Sequence, residues 1–274
     1  MLSYQHHYHA GNHADVLKHW VLLESLRHLQ KKPAPFDYID THAGAGMYQL
    51  KAAEAQKTGE YEQGMGRVIH SSLAELQPLL DLIRPQVDRG RYPGSPAIVN
   101  SLLRDGDHAH LFELHPQTHR ELEQSCARKR QTYVRKEDGF IGLKALLPVK
   151  SHRALVLIDP SYELKEDYQK VFQVTEAAWQ KMHQATILIW YPVVDRARIN
   201  RFEKQFVASR LKNVHLFEMS VADDQAAGMT GSGIVAVNPP WTLAERFNSL
   251  MPELSRQLSS DGQERFRHRQ LRAE

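Results

Sequence analysis

Two nearly continuous apolar runs, ALVLI at 154–158 and ATILIWY at 185–191, constrain the fold of this chain more than any other feature. Parallel strands that helices cover on both faces have sequences of this kind. Other short runs rich in Val, Ile, Leu and Phe recur, mostly separated by stretches of helical length. This order predicts an α/β fold with a mostly parallel, seven-stranded sheet. We expect its strands at 36–41, 109–114, 132–135, 154–158, 186–191, 214–219 and 234–237.

The segment before the first predicted strand has the pattern of an amphipathic helix. Asn12 is a suitable N-cap, Asp15 falls in the first turn and Pro33 ends the segment. Apolar residues at 16, 17, 20, 23, 26 and 29 share one helical face.

The length of 274 residues suggests one large core with an insertion. No apolar run approaches the ~20 residues of a membrane span, and the N-terminus lacks the apolar region of a signal peptide, so we expect a cytoplasmic protein. The single cysteine, Cys126, excludes an internal disulfide and a multi-cysteine zinc site. Sixteen histidines are present, and His6, His7, His9 and His13 lie close together, but they lack the i, i+4 pairing with a helical Glu that marks a zincin, so no metal is expected.

Basic residues cluster in three stretches, 128–136, 196–212 and 265–272, although the net charge is only +3. A polyanion could bind such clusters through its phosphates, and solvated helix faces are the equally weighted alternative. The polar and basic tail, 259–274, is expected to be disordered in part.

A glycine-rich turn, Asp40-Thr41-His42-Ala43-Gly44-Ala45-Gly46, ends the first predicted strand. Such a turn lets the backbone approach a nucleoside closely. It departs from the dinucleotide pattern G-x-G-x-x-G because residue 49 is Gln, and its strand ends in an acid. These differences favour S-adenosyl-L-methionine over NAD, since the ammonium and ribose of that cofactor call for carboxylates.

Glu113 ends the second strand, where doubly wound folds hold a ribose diol with a carboxylate. Its separation from Asp40 far exceeds the usual ~20 residues. This separation predicts that residues 51–106 form a small inserted helical subdomain, and that residues 1–50 and 107–258 form the main domain. Within the insertion, the rigid turn YPGSP presents Ser95, either toward a ligand or merely as a turn residue.

Three further residues have two readings each. Asp138, followed by Gly139 after the third strand, is placed either to accept from an adenine amine or only to cap a helix. Lys18 and His19, upstream of the glycine turn, either line the methionine end of the cofactor or occupy a solvated face.

Two motifs compete as the catalytic site, Asp159-Pro160-Ser161-Tyr162 and Asn238-Pro239-Pro240-Trp241. An Asp carboxylate and the next backbone carbonyl can accept both N–H groups of a nucleobase amine, while the aromatic ring stacks on the flipped base. Sites in open α/β sheets lie at the carboxyl ends of parallel strands. Strand order therefore favours Asp159, beside the first strand, and places Asn238 at the opposite edge on an antiparallel last strand. The chemistry leaves open an RNA adenine, a DNA adenine or a guanine-N2 amine as target, with an NAD-linked oxidoreductase as the alternative from another class.

Eight stretches follow one another over nearly the whole chain: MLSYQHHYHAGNHADVLKH, DTHAGAGMY, YPGSP, FELHP, KEDGF, LIDPSYE, WYPVV and GSGIVAVNPPW. Together they resemble the bacterial 23S ribosomal RNA adenine-N6 methyltransferases named ribosomal RNA large subunit methyltransferase J. Ser161 is a departure, because that family usually has a second proline there.

The resemblance implies a Rossmann-like methyltransferase with an inserted subdomain, which uses S-adenosyl-L-methionine to methylate one adenosine of 23S rRNA, either protein-free or in an early assembly intermediate, and which acts as a monomer. It implies Asp159 as the catalytic residue, also in contact with the cofactor, Tyr4 as an RNA contact and Tyr162 as the residue that stacks on the target base. The implied cofactor contacts are Lys18, His19, His42, Ser95, Glu113, Asp138 and Gly139.

Overall fold

The computed structural model describes residues 6–274, except for the side chains of residues 53, 54 and 56. The described strands, in chain order, are β1 (Asp37–Asp40), β2 (Met47–Gln49), β3 (Arg91–Pro93), β4 (His108–Phe112), β5 (Thr132–Arg135), β6 (Ala154–Ile158), β7 (Thr186–Val193), β8 (Val214–Ser220), β9 (Gly231–Val237) and β10 (Phe266–Arg272).

The main sheet has the strand order β10-β8-β9-β7-β6-β1-β4-β5. The strands from β7 to β5 run parallel, whereas β9 runs antiparallel to both of its neighbours. Ile39 of β1 lies between His110 of β4 and Val156 of β6, so the first strand is central. Every residue of β6 and β7 is buried, as their continuous apolar sequences predict. The predicted α/β class is confirmed.

The sheet contains an eighth strand that the sequence does not predict. All seven expected strands are present, and β10 pairs antiparallel with β8. Its residues lie in the tail that we expected to be partly disordered, and for 266–272 that expectation is wrong. The cause is ion pairing with distant acids: Arg267 binds Glu218 at 2.7 Å and Glu203 at 3.0 Å, and Arg269 also binds Glu203.

Helices cover both faces of this sheet. A short 3-10 helix, His6–Tyr8, precedes α1 (His13–Gln30), α2 (Ala53–Thr58), α3 (Glu60–Gln63), α4 (Met65–Val68), α5 (Gln77–Val87), α6 (Ser95–Asn100), α7 (Pro116–Cys126), α8 (Gly139–Leu146), α9 (Asp167–Lys181), α10 (Arg196–Ala208) and α11 (Leu243–Leu258). In the part of the chain that is described, no helix is long and apolar enough to span a membrane.

The first helix begins as predicted but is not amphipathic. The Asn12 side chain caps it by accepting a hydrogen bond from the Asp15 N–H at 3.0 Å. Most of its residues are buried, including Asp15, Lys18 and His19. The helix contacts β6, β7 and β9 of the sheet and also α6 and α11, which explains why polar residues are buried on it.

Residues 51–106 are mainly helical and return through β3, which pairs with β2 outside the main sheet. The last helix of this segment, α6, contacts α1, β1 and β4. The division into a main domain and an inserted subdomain stays a prediction.

Candidate active site at the carboxyl edge of the sheet

A cavity of about 460 Å³ opens at the carboxyl ends of β1, β4 and β6. This volume suits a ligand of cofactor size, since such pockets span roughly 300–1,000 Å³. Seven of the predicted site residues line it: Lys18, His19, His42, Ser95, Glu113, Asp159 and Tyr162. Asp138 and Gly139 are not among the described residues that line it, and Tyr4 lies outside the described residues.

The glycine turn after β1 supplies a backbone donor to the second-strand acid. Gly44 has a positive φ of 64°, and its N–H donates to Glu113 Oε2 at 3.1 Å. The His115 N–H donates to Glu113 Oε1 at 2.7 Å. Burial raises the pKa of Glu113, against the effect of these two donors. The carboxylate is thereby held at the cavity wall with lone pairs left for a diol.

Asp40 does not contribute to the cavity surface, contrary to its expected role beside the ligand. Its side chain is fully buried, and its Oδ2 accepts hydrogen bonds from the hydroxyls of Tyr38 and Ser95, both at 2.7 Å. Burial raises the pKa of Asp40 to about 6, although these donors and the His42 N–H oppose the shift. Asp40 therefore positions Ser95, which does line the cavity.

The acid after the third strand caps a helix. Asp138 Oδ1 accepts from the Phe140 N–H at 2.8 Å, and its Oδ2 lies 3.6 Å from Lys170 Nζ. The helix-cap reading is thus confirmed, and the adenine contact stays a prediction. Glycine is required at position 139 for a different, steric reason, because a Cβ there would lie 2.0 Å from the Thr41 carbonyl oxygen. Only glycine lets α8 begin so close to the turn after β1.

Three charged side chains meet in the wall of the cavity. Lys18 Nζ lies 2.7 Å from Asp159 Oδ2 and 2.9 Å from Asp15 Oδ1. Burial would lower the pKa of Lys18, but the two carboxylates raise it well above its ordinary value. Burial would likewise raise the pKa of Asp15, but Lys18, followed by His6 and His19, holds it well below its ordinary value. The lysine is therefore a fixed ammonium ion that orients Asp159.

The two predicted histidines of the site are neutral. Burial lowers the pKa of His19 to about 3 and that of His42 to about 4. The His19 ring nitrogen Nδ1 hydrogen bonds with the Tyr92 hydroxyl at 2.9 Å, and the His42 ring packs edge-on against Phe140. Both rings can serve a ligand as uncharged hydrogen-bonding groups.

The loop after β6 holds its aromatic residue firmly. Tyr162 has a positive φ of 52°, and its hydroxyl donates to the Trp190 carbonyl oxygen at 2.6 Å. Its ring lies 4.4 Å from that of Tyr168, and only 8% of the side chain is exposed. These contacts fix the loop although Ser161 replaces the second proline.

The competing motif lies at the other edge of the sheet, as predicted from strand order. Asn238 follows the antiparallel strand β9, and its side-chain amide donates to the carbonyl oxygens of His183 and Ala185, just before β7. The motif ends β9 and takes no part in the cavity. It does not end the last strand, because β10 follows it.

Sequence reasoning missed several side chains that line the cavity. Asp15 fits the first turn of a helix by sequence, and its i, i+3 spacing to Lys18 is the signal that also places it at the site. The other missed residues come from distant segments whose approach no local pattern shows: His6, Tyr48, Glu60, Tyr168, Trp190 and Arg198.

S-adenosyl-L-methionine fits this donor set. Glu113 has free lone pairs for the ribose hydroxyls, and Asp159 supplies negative charge in the wall of the same cavity, which suits a sulfonium. Trp190 Nε1 is a buried N–H without a hydrogen-bond partner among the described residues, and its ring lines the same cavity. A polar ligand can satisfy it.

Comparison with known proteins shows which family this chain resembles. A family model described as Ribosomal RNA large subunit methyltransferase D, RlmJ, matches residues 33–269. The proteins named Ribosomal RNA large subunit methyltransferase J from Escherichia coli and Haemophilus influenzae are 41% and 42% identical to this chain, each match covering 96% of both chains. The crystal structure of protein LPL1258 from Legionella pneumophila superposes with a TM-score of 0.87 at 32% identity, covering 96% of this chain and 98% of that one.

These matches cover nearly the whole chain and include the strands that carry the site. The fold is that of a methyltransferase, and its cofactor is S-adenosyl-L-methionine. The chain belongs to the ribosomal RNA large subunit methyltransferase J family.

Proposed function

We propose that this protein methylates the N6 amine of a single adenosine in 23S rRNA, with S-adenosyl-L-methionine as methyl donor. The observation that carries the proposal is the position of Asp159-Pro160 at the carboxyl end of β6, beside β1, in the wall of the cavity. The large-subunit rRNA named for the relatives supports the choice of RNA.

The chemistry starts from a poor nucleophile, because the lone pair of an adenine amine is delocalised into the ring. Asp159 and the carbonyl oxygen of Pro160 can each accept one N–H, which directs the nitrogen lone pair toward the methyl group. Lys18 binds Asp159 through Oδ2, so Oδ1 can accept from the amine. Lys18 thus orients the carboxylate without competing for both of its oxygens.

The cofactor supplies an electrophilic methyl group on a sulfonium when bound. The proposed contacts to it are Lys18, His19, His42, Ser95, Glu113, Asp138, Gly139 and Asp159. Glu113 binds the ribose diol, and the neutral ring of His42 lies at the nucleoside side, next to Phe140. After transfer the amine nitrogen releases a proton, and we assign Asp159 as its acceptor.

The target base needs a surface to stack on once it leaves its helix. We assign this role to Tyr162, whose ring is fixed beside Asp159, and an RNA contact to Tyr4. Tyr4 is assigned from the family motif alone.

Methyl incorporation into three substrates tests the proposal: protein-free 23S rRNA, assembled large subunits and duplex DNA. Digestion to nucleosides and mass spectrometry then identify the product. We expect N6-methyladenosine in the protein-free RNA, and Asp159→Ala to lower the rate at least about 100-fold because it removes the acceptor that orients the amine.

The matched control is Asp105→Ala, which removes an exposed carboxylate near the opposite edge of the sheet and should leave the rate unchanged. Methylation of duplex DNA alone, or of guanine, would contradict the proposal. Near-normal activity of Asp159→Ala would contradict the assignment of the catalytic residue.

A further inference from the structure

We infer that a groove between the start of α9 and the start of α10 binds the RNA backbone next to the target adenosine. The groove is defined by Lys165, Arg198 and Arg201. This inference rests on the proposed function, since it names the surface that the RNA substrate uses.

The groove is continuous with the active site. A second cavity of about 370 Å³ lies between α9 and α10, and it shares Tyr168 and Arg198 with the wall of the main cavity. A strand whose flipped adenosine enters the main cavity must lay its neighbouring nucleotides against the rim of that cavity. The groove begins at this rim.

The cations of the groove are available to a ligand. Lys165 and Arg201 are exposed, and neither forms an ion pair with any residue that the structure describes. Arg198 lies over the ring of Tyr168 at 5.8 Å, with its guanidinium 3.9 Å from Asp195. A planar guanidinium held in this way can bind a phosphate through two parallel hydrogen bonds.

Several other arginines are committed to ion pairs within the protein. Arg265 binds Asp261, Arg267 binds Glu203 and Glu218, and Arg196 binds Glu218 and Asp224. The tail and the first residue of α10 are therefore poorer phosphate ligands than the groove.

Acidic groups near the groove are partly occupied by the backbone. Asp195 lines it, and its Oδ1 accepts from the Arg198 N–H at 3.1 Å as the cap of α10. At the first residue of α9, Asp167 Oδ2 accepts from the Leu164 N–H at 3.0 Å, while Glu163 and Glu166, just before the helix, are exposed. Three cations against one carboxylate line the groove itself, so its charge suits a phosphate chain.

Exposed apolar side chains stand beside these cations. Leu164 is 61% exposed and Val194 is 56% exposed, and Val194 also lines the main cavity. Apolar side chains at such positions contact or separate bases when a nucleotide leaves its stack. Phosphate-binding and base-binding groups therefore occur together at the mouth of the site.

The test compares the double variant Lys165→Ala/Arg201→Ala with the matched control Arg210→Ala/Lys212→Ala. The control residues are also exposed and basic but follow α10 at the opposite edge of the sheet. The measurements are the Kd of a 23S rRNA fragment at several salt concentrations, the KM and kcat for that fragment, and the affinity for S-adenosylhomocysteine.

We expect the groove variant to raise Kd and KM for RNA about tenfold, with a much smaller change in kcat. The slope of log Kd against log salt should fall by roughly 0.7–0.9 for each phosphate that the variant no longer binds. Affinity for S-adenosylhomocysteine should stay constant and show that the fold is intact.

Equal effects of the two double variants on Kd and KM, or an unchanged KM and salt slope in the groove variant, would overturn the proposed RNA-binding groove. The proposed function would stand in that case, provided that the wild type still methylated the fragment. If the wild type bound RNA through the groove but transferred no methyl group, the proposed function would fail and the groove would stand.

Discussion

Asp40 is a fully buried carboxylate at the end of β1. Burial raises its pKa from 3.8 to about 6, so folding favours the protonated form. Its contribution to stability is fully present below about pH 4 and is lost as pH rises through about 6. The difference between the two pKa values corresponds to roughly 3 kcal/mol in the free energy of unfolding.

Asp40→Asn removes this titration, so the variant should gain stability relative to the wild type between pH 4 and pH 7. Unfolding by denaturant at several pH values measures the difference. Asp81→Asn, at a residue whose side chain is 69% exposed, is the control. Its free energy of unfolding should differ from that of the wild type by the same amount at every pH. A constant difference for Asp40→Asn as well would contradict the raised pKa.

Asp15 should show the opposite pH dependence. Burial alone would raise its pKa, but Lys18 and the nearby histidines hold it well below its ordinary value. Its ion pair with Lys18 therefore stabilises the fold above the unfolded-state pKa, and this contribution is lost as pH falls. Asp15→Asn should cost about 3 kcal/mol at neutral pH, because Lys18 stays buried with one partner fewer.

The same unfolding measurements at several pH values give the free-energy cost of Asp15→Asn, and this cost should become smaller in acid. A cost that does not vary with pH would mean that the charge of Asp15 is not what stabilises the fold.

At this scale the sequence predicted the residues that follow strand ends. Glu113 and Asp159 could be placed because the carboxyl ends of parallel strands meet at one edge. Asp40 ends β1 as predicted, but it does not line the cavity, because it is buried against Tyr38 and Ser95, and Ser95 lies in another segment. Such contacts between distant segments are invisible to local patterns.

Among the elements, β10 depends on a buried charge network. Arg267 donates to Glu218 and Glu203, whose side chains are only 3% and 6% exposed. Arg267→Ala should therefore cost about 3 kcal/mol, since it leaves buried carboxylates without a partner. Arg256→Ala removes an arginine from exposed pairs with Glu253 and Glu264 and should cost under about 1 kcal/mol.

Thermal and denaturant unfolding compare the two variants. Similar losses would show that the network does not hold β10 in place. Composition alone could not predict this strand, because its acidic partners lie on α10 and β8, more than 45 residues earlier in the chain.

The start of α8 gives a second prediction among the elements. Gly139→Ala would place a Cβ 2.0 Å from the Thr41 carbonyl oxygen, so the helix must move away from the glycine turn. We expect a loss of about 2–4 kcal/mol and weaker binding of S-adenosylhomocysteine by calorimetry.

Gly228→Ala is the control, because its Cβ would have no neighbour within 4 Å. It carries only the backbone cost of its positive φ, about 1 kcal/mol. Equal costs for the two variants would remove the steric argument.

In the whole molecule, the sheet order gives the three basic clusters of the sequence different roles. Residues 128–130 precede β5 and lie at the edge opposite the site. The arginines of the tail mostly pair with acids of the same chain, whereas Arg198 lies at the rim of the active-site cavity and Arg201 lies in the adjoining groove. The sequence could count these cations, but only the topology separates those that can meet RNA.

The central claim is that Asp159 directs methylation of one adenosine in 23S rRNA. Mass-spectrometric mapping of 23S rRNA from a strain that lacks this protein tests it most directly, with the wild-type and Asp159→Ala proteins supplied in parallel. We expect a single N6-methyladenosine to be lost in the deletion strain, restored by the wild type and not restored by Asp159→Ala. An unchanged N6-methyladenosine map in the deletion strain, or full restoration by Asp159→Ala, would contradict the claim.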